Sequence, residues 1–346
     1  MARLSAAICI GTYNQARYLR DAVTSALAQS YPIEEIWISD DASTDETPEI
    51  LHALHEEHPQ LHVFRQPVNL GLPGNLSWLL ARPRTDLIVR LDSDDRLEPE
   101  YVATLAALME KHSDAGYAHC NVAEMDIHGV QQRTRRLART EEYESADQAL
   151  RAGSSGYRVA ANCILYRAEA LRQVDYYRPT LDWRACEDWH LIVRLTLAGW
   201  GNVYAPRTLA NYRSWDDAAG VRATRKIPDV RESVELYQSL LMPAYTQRGW
   251  SLHPLRRAMR TRAMIYAEAM DAPHFSAEER AELKDALLRL SRSPCVQWRI
   301  WQAEHGLAPW LRWCDRMRYR AKDFLKIFLL RLRPLFPQMP IAREKS

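Results

Sequence analysis

The first half of this chain alternates short apolar segments of strand length with segments whose apolar residues recur at helical spacing, and no other feature restricts its fold as much. Leu4 to Ile10 reads as a buried strand, and Leu19, Ala22, Val23, Ala26 and Leu27 share one helical face. Glu35 to Asp40 is a second strand. Thr47-Pro48 predicts a helix start, a capping hydroxyl followed by proline at the first helical position. His62 to Arg65 is a third strand, Leu76 to Leu80 a helix, Asp86 to Leu91 a fourth strand, Glu98 to Lys111 a helix and Gly116 to Ala123 another strand. Val159 to Tyr166, a helix from Glu187 to Ala198, and short strands around Val203 and Asn211 follow. Such alternation predicts an α/β domain with a mostly parallel sheet and helices on both faces. The boundaries expected are 1–217 for this domain and 218–346 for a helical extension. Residues 127–157 are polar and basic and read as an exposed connection.

In sheets of this kind ligands bind beyond the carboxyl ends of the strands. Three segments fall there: Gly11-Thr12-Tyr13-Asn14, Asp40-Asp41-Ala42-Ser43-Thr44-Asp45 and Asp92-Ser93-Asp94-Asp95. Asn69-Leu70-Gly71, before the helix after the third strand, is a fourth. The sharpest is Asp92 to Asp95, because two carboxylates two residues apart on a loop can share a hard divalent cation, Mg²⁺ or Mn²⁺, with the oxygens of a diphosphate. A turn and helix cap before Pro99 explains the same residues without a metal.

Together these segments resemble family 2 glycosyltransferases. The stretch ICIGTYNQARYLRDAVTSALAQSYPIEEIWISDDASTDET follows the family's opening, and NLGLPGN and LIVRLDSDDRLEP its next two blocks. Glu187-Asp188-Trp189 with Arg194-Leu195 and Gly199 follows its later acidic block, so the resemblance spans roughly residues 4 to 213. It implies a GT-A fold and an inverting transfer from a nucleotide-diphosphate sugar to a glycan or lipid-linked acceptor, in surface polysaccharide synthesis.

The resemblance also assigns roles. Tyr13 would stack on the nucleobase, with Thr12 and Asn14 shaping the loop, and Asp41 would accept a hydrogen bond from the base. Asn69, Gly71 and Ser93 belong to the nucleotide-sugar blocks. Asp92 would face ribose and metal, and Asp94 would ligate the metal directly. Asp188 would be the general base, with Glu187 beside it. The chemistry needs these parts: the sugar develops oxocarbenium character as the diphosphate departs, a cation stabilises the leaving charge, and a carboxylate takes the acceptor's proton. Glu187 and Asp188 also suit a plain helix N-terminus.

The chain departs from the family at several points. Gly11 stands where proline is frequent, and Ala42 replaces the glycine of DDGS, so that turn must tolerate a side chain. No histidine follows Tyr212-Arg213; Arg213 is the candidate grip on phosphate, and Asp216 a substitute ligand. His190 reads as a packed neighbour of the acidic pair.

Other classes of protein fit less well. A nucleotidyltransferase would want a glycine-rich basic phosphate loop where GTYNQA stands, and a dinucleotide dehydrogenase a G-x-G-x-x-G. A sugar-nucleotide-binding module without turnover remains an alternative. The six cysteines are scattered and read as free thiols of a reducing cytosol.

From Gly306 onward ten Lys/Arg face three Asp/Glu, an excess of +7 against a net +2 for the whole chain. Trp310 to Pro337 reads as a basic amphipathic helix, suited to an anionic membrane surface, or else packed on the catalytic domain or another subunit. No recognised motif points to nucleic acid. With no signal peptide or spanning segment in the sequence, the expected location is cytoplasmic, peripheral on the inner face of the membrane if the tail binds lipid.

Overall fold

A computed structural model describes residues 3–137, 139, 141–156, 159, 163–178, 183, 185–214 and 225–307. The described strands are β1 (Ala6–Thr12), β2 (Glu35–Asp40), β3 (Leu61–Arg65), β4 (Leu87–Asp92), β5 (Arg96–Leu97), β6 (Ala115–Met125), β7 (Gln131–Arg135), β8 (Tyr143–Glu144), β9 (Ile164–Arg167) and β10 (Gly201–Arg213). They form one sheet in the order β3-β2-β1-β4-β9-β6-β10-β5, with β7 on β6 and β8 on β10. The helices beside it are α1 (Ala16–Leu27), α2 (Thr47–Glu57), α3 (Gly71–Leu80), α4 (Tyr101–Lys111), α5 (Ala146–Ala152), α6 (Ala168–Gln173) and α7 (Glu187–Leu197).

The central strands are apolar on both faces because both are covered. Ile8 and Ile10 of β1 pack with Leu19, Val23 and Leu51 on one side of the sheet, while Cys9 and Ile88 pack with Leu76, Leu79, Leu191 and Leu195 on the other. Each such buried leucine or isoleucine contributes about 1.5–3 kcal/mol relative to exposure.

The sheet is mixed rather than mostly parallel. β1, β2, β3 and β4 pair in parallel, as do β6 and β10. Between these groups β9 runs antiparallel to both β4 and β6. Its first three residues, Ile164, Leu165 and Tyr166, are buried and would suit a strand of either direction, so their pattern carries no information on polarity.

Two expected helix starts differ. Glu98 does not open α4; its backbone N–H donates to Leu209 O and its carboxylate accepts from Asn211, which holds Arg96–Leu97 against β10. Thr47 does not cap α2; its hydroxyl accepts from Gln15 N at 3.1 Å and ties the helix start to the loop after β1. The two short strands near Val203 and Asn211 are one bulged strand, β10. Nor is 127–157 a bare connection. β7 pairs with β6, Arg133 and Arg135 both bond the buried Glu124 carboxylate, and Arg139 is buried against Asn202.

Beyond β10 come α8 (Lys226–Glu235), a π-helical stretch over Leu236–Leu241, α9 (Met242–Gln247), α10 (His253–Tyr266), α11 (Ala277–Leu290) and α12 (Pro294–Glu304). The chain forms two compact units, Met1–Met259 and Arg260–Ser346. Asp216 and the basic segment Trp310 to Pro337 lie outside the described residues. Among the described residues no helix is long and apolar enough to cross a membrane.

Candidate active site

The parallel register of β1, β2 and β4 aligns their carboxyl ends. Thr12 lies opposite Asp40 and Gly11 opposite Asp92. Thr12, Asp41 and Asp92 therefore surround one crevice. Thr12 is buried and its Oγ1 has no hydrogen-bond partner among the described residues, an orphan hydroxyl at the crevice floor. Tyr13, next along, is 47 % exposed, its ring available to a ligand.

Two left-handed residues shape the crevice's upper loops. Asn14 has φ +53° and Ala42 φ +61°. Asn14 suits this conformation, and its Oδ1 accepts from Thr44 N at 2.8 Å while its own N–H donates to Ser43 Oγ at 2.8 Å. Ala42 has no such compensation, so the turn accommodates a side chain where glycine would sit at ease. Gly71, at φ +72°, opens α3 and lets Leu70 N–H donate to Asp41 Oδ1 at 2.7 Å. Asn69 locks this turn, donating to Asp41 O at 3.1 Å and accepting from Gly71 N at 3.0 Å. Burial raises the Asp41 carboxyl above its usual range, and the amides of Leu70 and Gly71 pull it back.

The acidic loop splits into distinct environments. Asp92 and Asp94 are half-buried, whereas Ser93 and Asp95 are buried. Asp95 accepts from Arg213 N at 2.8 Å and from the Cys163 thiol, and burial with the Asp94 and Asp92 charges raises it well above the ordinary carboxylate range. That concentration of negative charge is one a divalent cation would relieve. Among the described residues no three His, Cys, Asp or Glu side chains converge as a closed metal cage. Mg²⁺ and Mn²⁺ do not need one; one or two carboxylates plus substrate phosphate suffice. Asp92 and Asp94 fit that role.

Arg213, the expected phosphate grip, is buried and committed elsewhere. Its Nε donates to Asp94 O at 2.8 Å, its Nη1 donates to Asp126 O at 3.0 Å, and its guanidinium lies 4.2 Å over the Tyr18 ring. It braces the acidic loop from behind.

Asp188 is brought to the same crevice by Arg90. This arginine interrupts the apolar run of β4 and is fully buried. Its Nε and Nη2 bond the two oxygens of Asp92 at 2.9 and 3.2 Å, and its Nη1 bonds Asp188 Oδ1. Tyr177 adds a hydrogen bond to the same Asp188 oxygen at 2.9 Å. Glu187 is buried with one oxygen unpartnered among the described residues; desolvation and the Asp188 charge push its carboxyl up to about 7. His190 packs against Trp183 with the rings tilted by 39°, and burial together with Arg194 and Arg178 lowers it to about 3, so it packs as a neutral ring.

Three participants escaped sequence reading. Arg90 had a signal, a charge inside a strand that must be buried and hence paired. Tyr177 had none. Glu232 of α8 accepts from the backbone N–H of Ala185 and Cys186, at 2.9 and 2.7 Å, and so fixes the turn that delivers Glu187 and Asp188.

Known proteins resemble this chain in sequence and in fold. EpsE of Bacillus subtilis (strain 168), by its name a glycosyltransferase, is 28 % identical over 213 residues, 61 % of this chain and 73 % of its own length. Chondroitin synthase of Pasteurella multocida (strain Pm70) is 36 % identical over 95 residues, 28 % of this chain but 10 % of that protein. Crystal structures of S. aureus TarS residues 1–349 align over 88 % of this chain and 91 % of theirs, with TM-score 0.53 and 15 % identity. A mannosyltransferase of Pyrobaculum calidifontis in complex with GDP-Man and Mn²⁺ aligns over 98 % of this chain and 89 % of its own, with TM-score 0.53 and 16 % identity. At such identities the likeness is one of fold, a mixed α/β sheet with flanking helices of the GT-A type, with a helical C-terminal region. The model of glycosyl transferase family 2 matches residues 7–175, from β1 to the end of α6, and through that domain the chain belongs to this family.

Proposed function

We propose that this glycosyltransferase moves a sugar, with inversion at its anomeric carbon, from a nucleoside-diphosphate donor to the hydroxyl of a growing glycan or its lipid-linked precursor, assisted by Mg²⁺ or Mn²⁺. One observation carries the reading: Asp188 is joined through a single buried guanidinium to Asp92 at the end of β4. A carboxylate suited to take a proton thus stands beside the acidic loop suited to a diphosphate. Neighbours of the same fold contain UDP, UDP-GlcNAc, or GDP-Man with Mn²⁺, which supports a nucleotide-sugar donor. The named match to chondroitin synthase supports a polysaccharide product.

Placement supports the following roles. Tyr13 stacks on the base, Asp41 accepts from it, and Thr12 Oγ1 finds in the donor the partner it lacks. Asp92 and Asp94 would hold the cation, which supplies positive charge against the leaving diphosphate. Asp188 accepts the acceptor hydroxyl's proton as the new C–O bond forms, and the electron pair of the broken bond leaves with the nucleoside diphosphate. Glu187, pushed up to about 7 by burial and the Asp188 charge, carries less negative charge near neutrality than an ordinary carboxylate.

Replacing Asp188 by Asn separates binding from chemistry. Calorimetry with UDP-, GDP- and dTDP-sugars in Mn²⁺ is expected to show donor affinity within about a factor of two of wild type, while transfer to a glycan acceptor panel falls about 10²-fold or more. An active Asp188→Asn variant removes Asp188 from the mechanism. An α-linked donor giving an α-linked product by NMR contradicts inversion.

A further inference from the structure

Arg90 places a full charge among the apolar residues Leu87, Ile88, Val89 and Leu91 of β4, which ends at Asp92. A buried guanidinium is tolerated when its donors are paired. All three nitrogens of this one are used. Nε and Nη2 form a fork on the carboxylate of Asp92, and Nη1 reaches both Asp188 Oδ1 and the Tyr177 hydroxyl, the latter at 2.6 Å. The Tyr177 ring lies 5.5 Å from the guanidinium. The partners come from the end of β4, from Tyr177 after α6 and from the first turn of α7, Asp188 lying 98 residues along the chain from Arg90.

We propose that Arg90 is a positioning residue that holds Asp92 and Asp188 in one rigid frame, fixing the separation between the carboxylate at the donor's diphosphate and the carboxylate that receives the acceptor's proton. The inference rests on the functional reading above. Two features give it direction. The planar fork of arginine can grip Asp92 with two nitrogens and keep the third for Asp188, whereas a lysine ammonium, a point charge on a flexible stem, cannot hold that geometry. Moreover, both hydrogen bonds to Asp188 fall on Oδ1. None from the described residues reaches Oδ2, and the side chain is 15 % exposed. Arg90 and Tyr177 thereby orient the carboxylate so that Oδ2 is the oxygen offered to the acceptor hydroxyl.

The two ends of the frame separate experimentally. Arg90 bonds both carboxylates, while the Tyr177 hydroxyl bonds Arg90 and Asp188. Full-length Arg90→Lys and Tyr177→Phe are compared with wild type by circular dichroism, by calorimetric titration with UDP-, GDP- and dTDP-sugars in Mn²⁺, and by nucleoside diphosphate release at saturating donor. Arg90→Lys is expected to weaken donor binding about tenfold and to lower kcat about 10²-fold, the usual cost of a misplaced reacting group. Tyr177→Phe is expected to lower kcat about tenfold with donor Kd within about a factor of two, a split that a general packing defect does not produce. Arg90→Lys with both quantities near wild type overturns the proposal. If Arg90→Lys does not fold, Tyr177→Phe decides alone: equal losses in Kd and kcat overturn it. A wild type that neither binds nor turns over any of these donors instead sinks the functional reading, and this inference with it.

Discussion

Glu187 shows how one carboxyl's surroundings become a measurable property. Burial and the Asp188 charge raise it from 4.5 to about 7 in the folded protein. The unfolded chain releases this proton near pH 4.5 and the folded chain only near 7, so Glu187 favours the folded state at low pH and that advantage is lost as pH rises across this window. The size is about 3 kcal/mol for a shift of this order. Glu187→Gln is expected to flatten the dependence, with a gain over wild type at pH 8 and little change at pH 4. Urea denaturation at the two pH values checks this; an unchanged slope between pH 4.5 and 7 contradicts it. The same residue marks what sequence could and could not convey. The pair Glu187-Asp188 stood out by motif, but the division of labour between them, one carboxyl held by Arg90 and Tyr177 and the other desolvated, depends on contacts far away in the chain. Arg213 teaches the converse: its place near the site was legible, yet burial at the end of β10 turned it toward the backbone of the acidic loop rather than outward.

At the scale of elements, the strand ends were the legible part. β1, β2 and β4 read clearly because their buried positions are mostly apolar, with Arg90 the charged exception within β4, and each ends in the polar segment that lines the crevice. β5, β7 and β8 were not legible. They are short or polar and exist through pairing with β6 and β10 rather than through their own pattern. The link from α8 to α7 was hidden for the same reason. Glu232 accepts two backbone N–H groups just before Glu187, orphan donors that would otherwise lie buried. Glu232→Ala is expected to cost about 2 kcal/mol, in the range for hydrogen bonds to a charged group, and to lower kcat more than donor affinity because it loosens the turn bearing Asp188. Chemical denaturation and steady-state kinetics test both parts. A stable variant with normal kcat would show that α8 does not position the base.

For the whole molecule, the charge asymmetry between a mildly acidic body and a basic tail remains a sequence property, since Trp310 to Pro337 lies beyond the described residues. We propose that the tail meets an anionic membrane surface, where lipid-linked acceptors reside. The full chain is then expected to cosediment with vesicles rich in phosphatidylglycerol and to be released as salt rises from 0.05 to about 0.5 M, because surface attraction of this kind is screened within about 10 Å at 0.1 M. Equal binding to neutral phosphatidylcholine vesicles, or none to either, contradicts this.

The central proposal is that the acidic loop leaving β4 binds a cation together with a sugar nucleotide's diphosphate. Thermal-shift measurement of the wild type and Asp94→Ala with each donor, with and without Mn²⁺, tests it most directly. A bound donor raises stability by mass action, about 2.7 kcal/mol at a hundredfold excess over Kd. The account predicts a wild-type shift that needs both donor and Mn²⁺ and vanishes in Asp94→Ala. A donor-induced shift of equal size without the metal, or one that survives in Asp94→Ala, contradicts it.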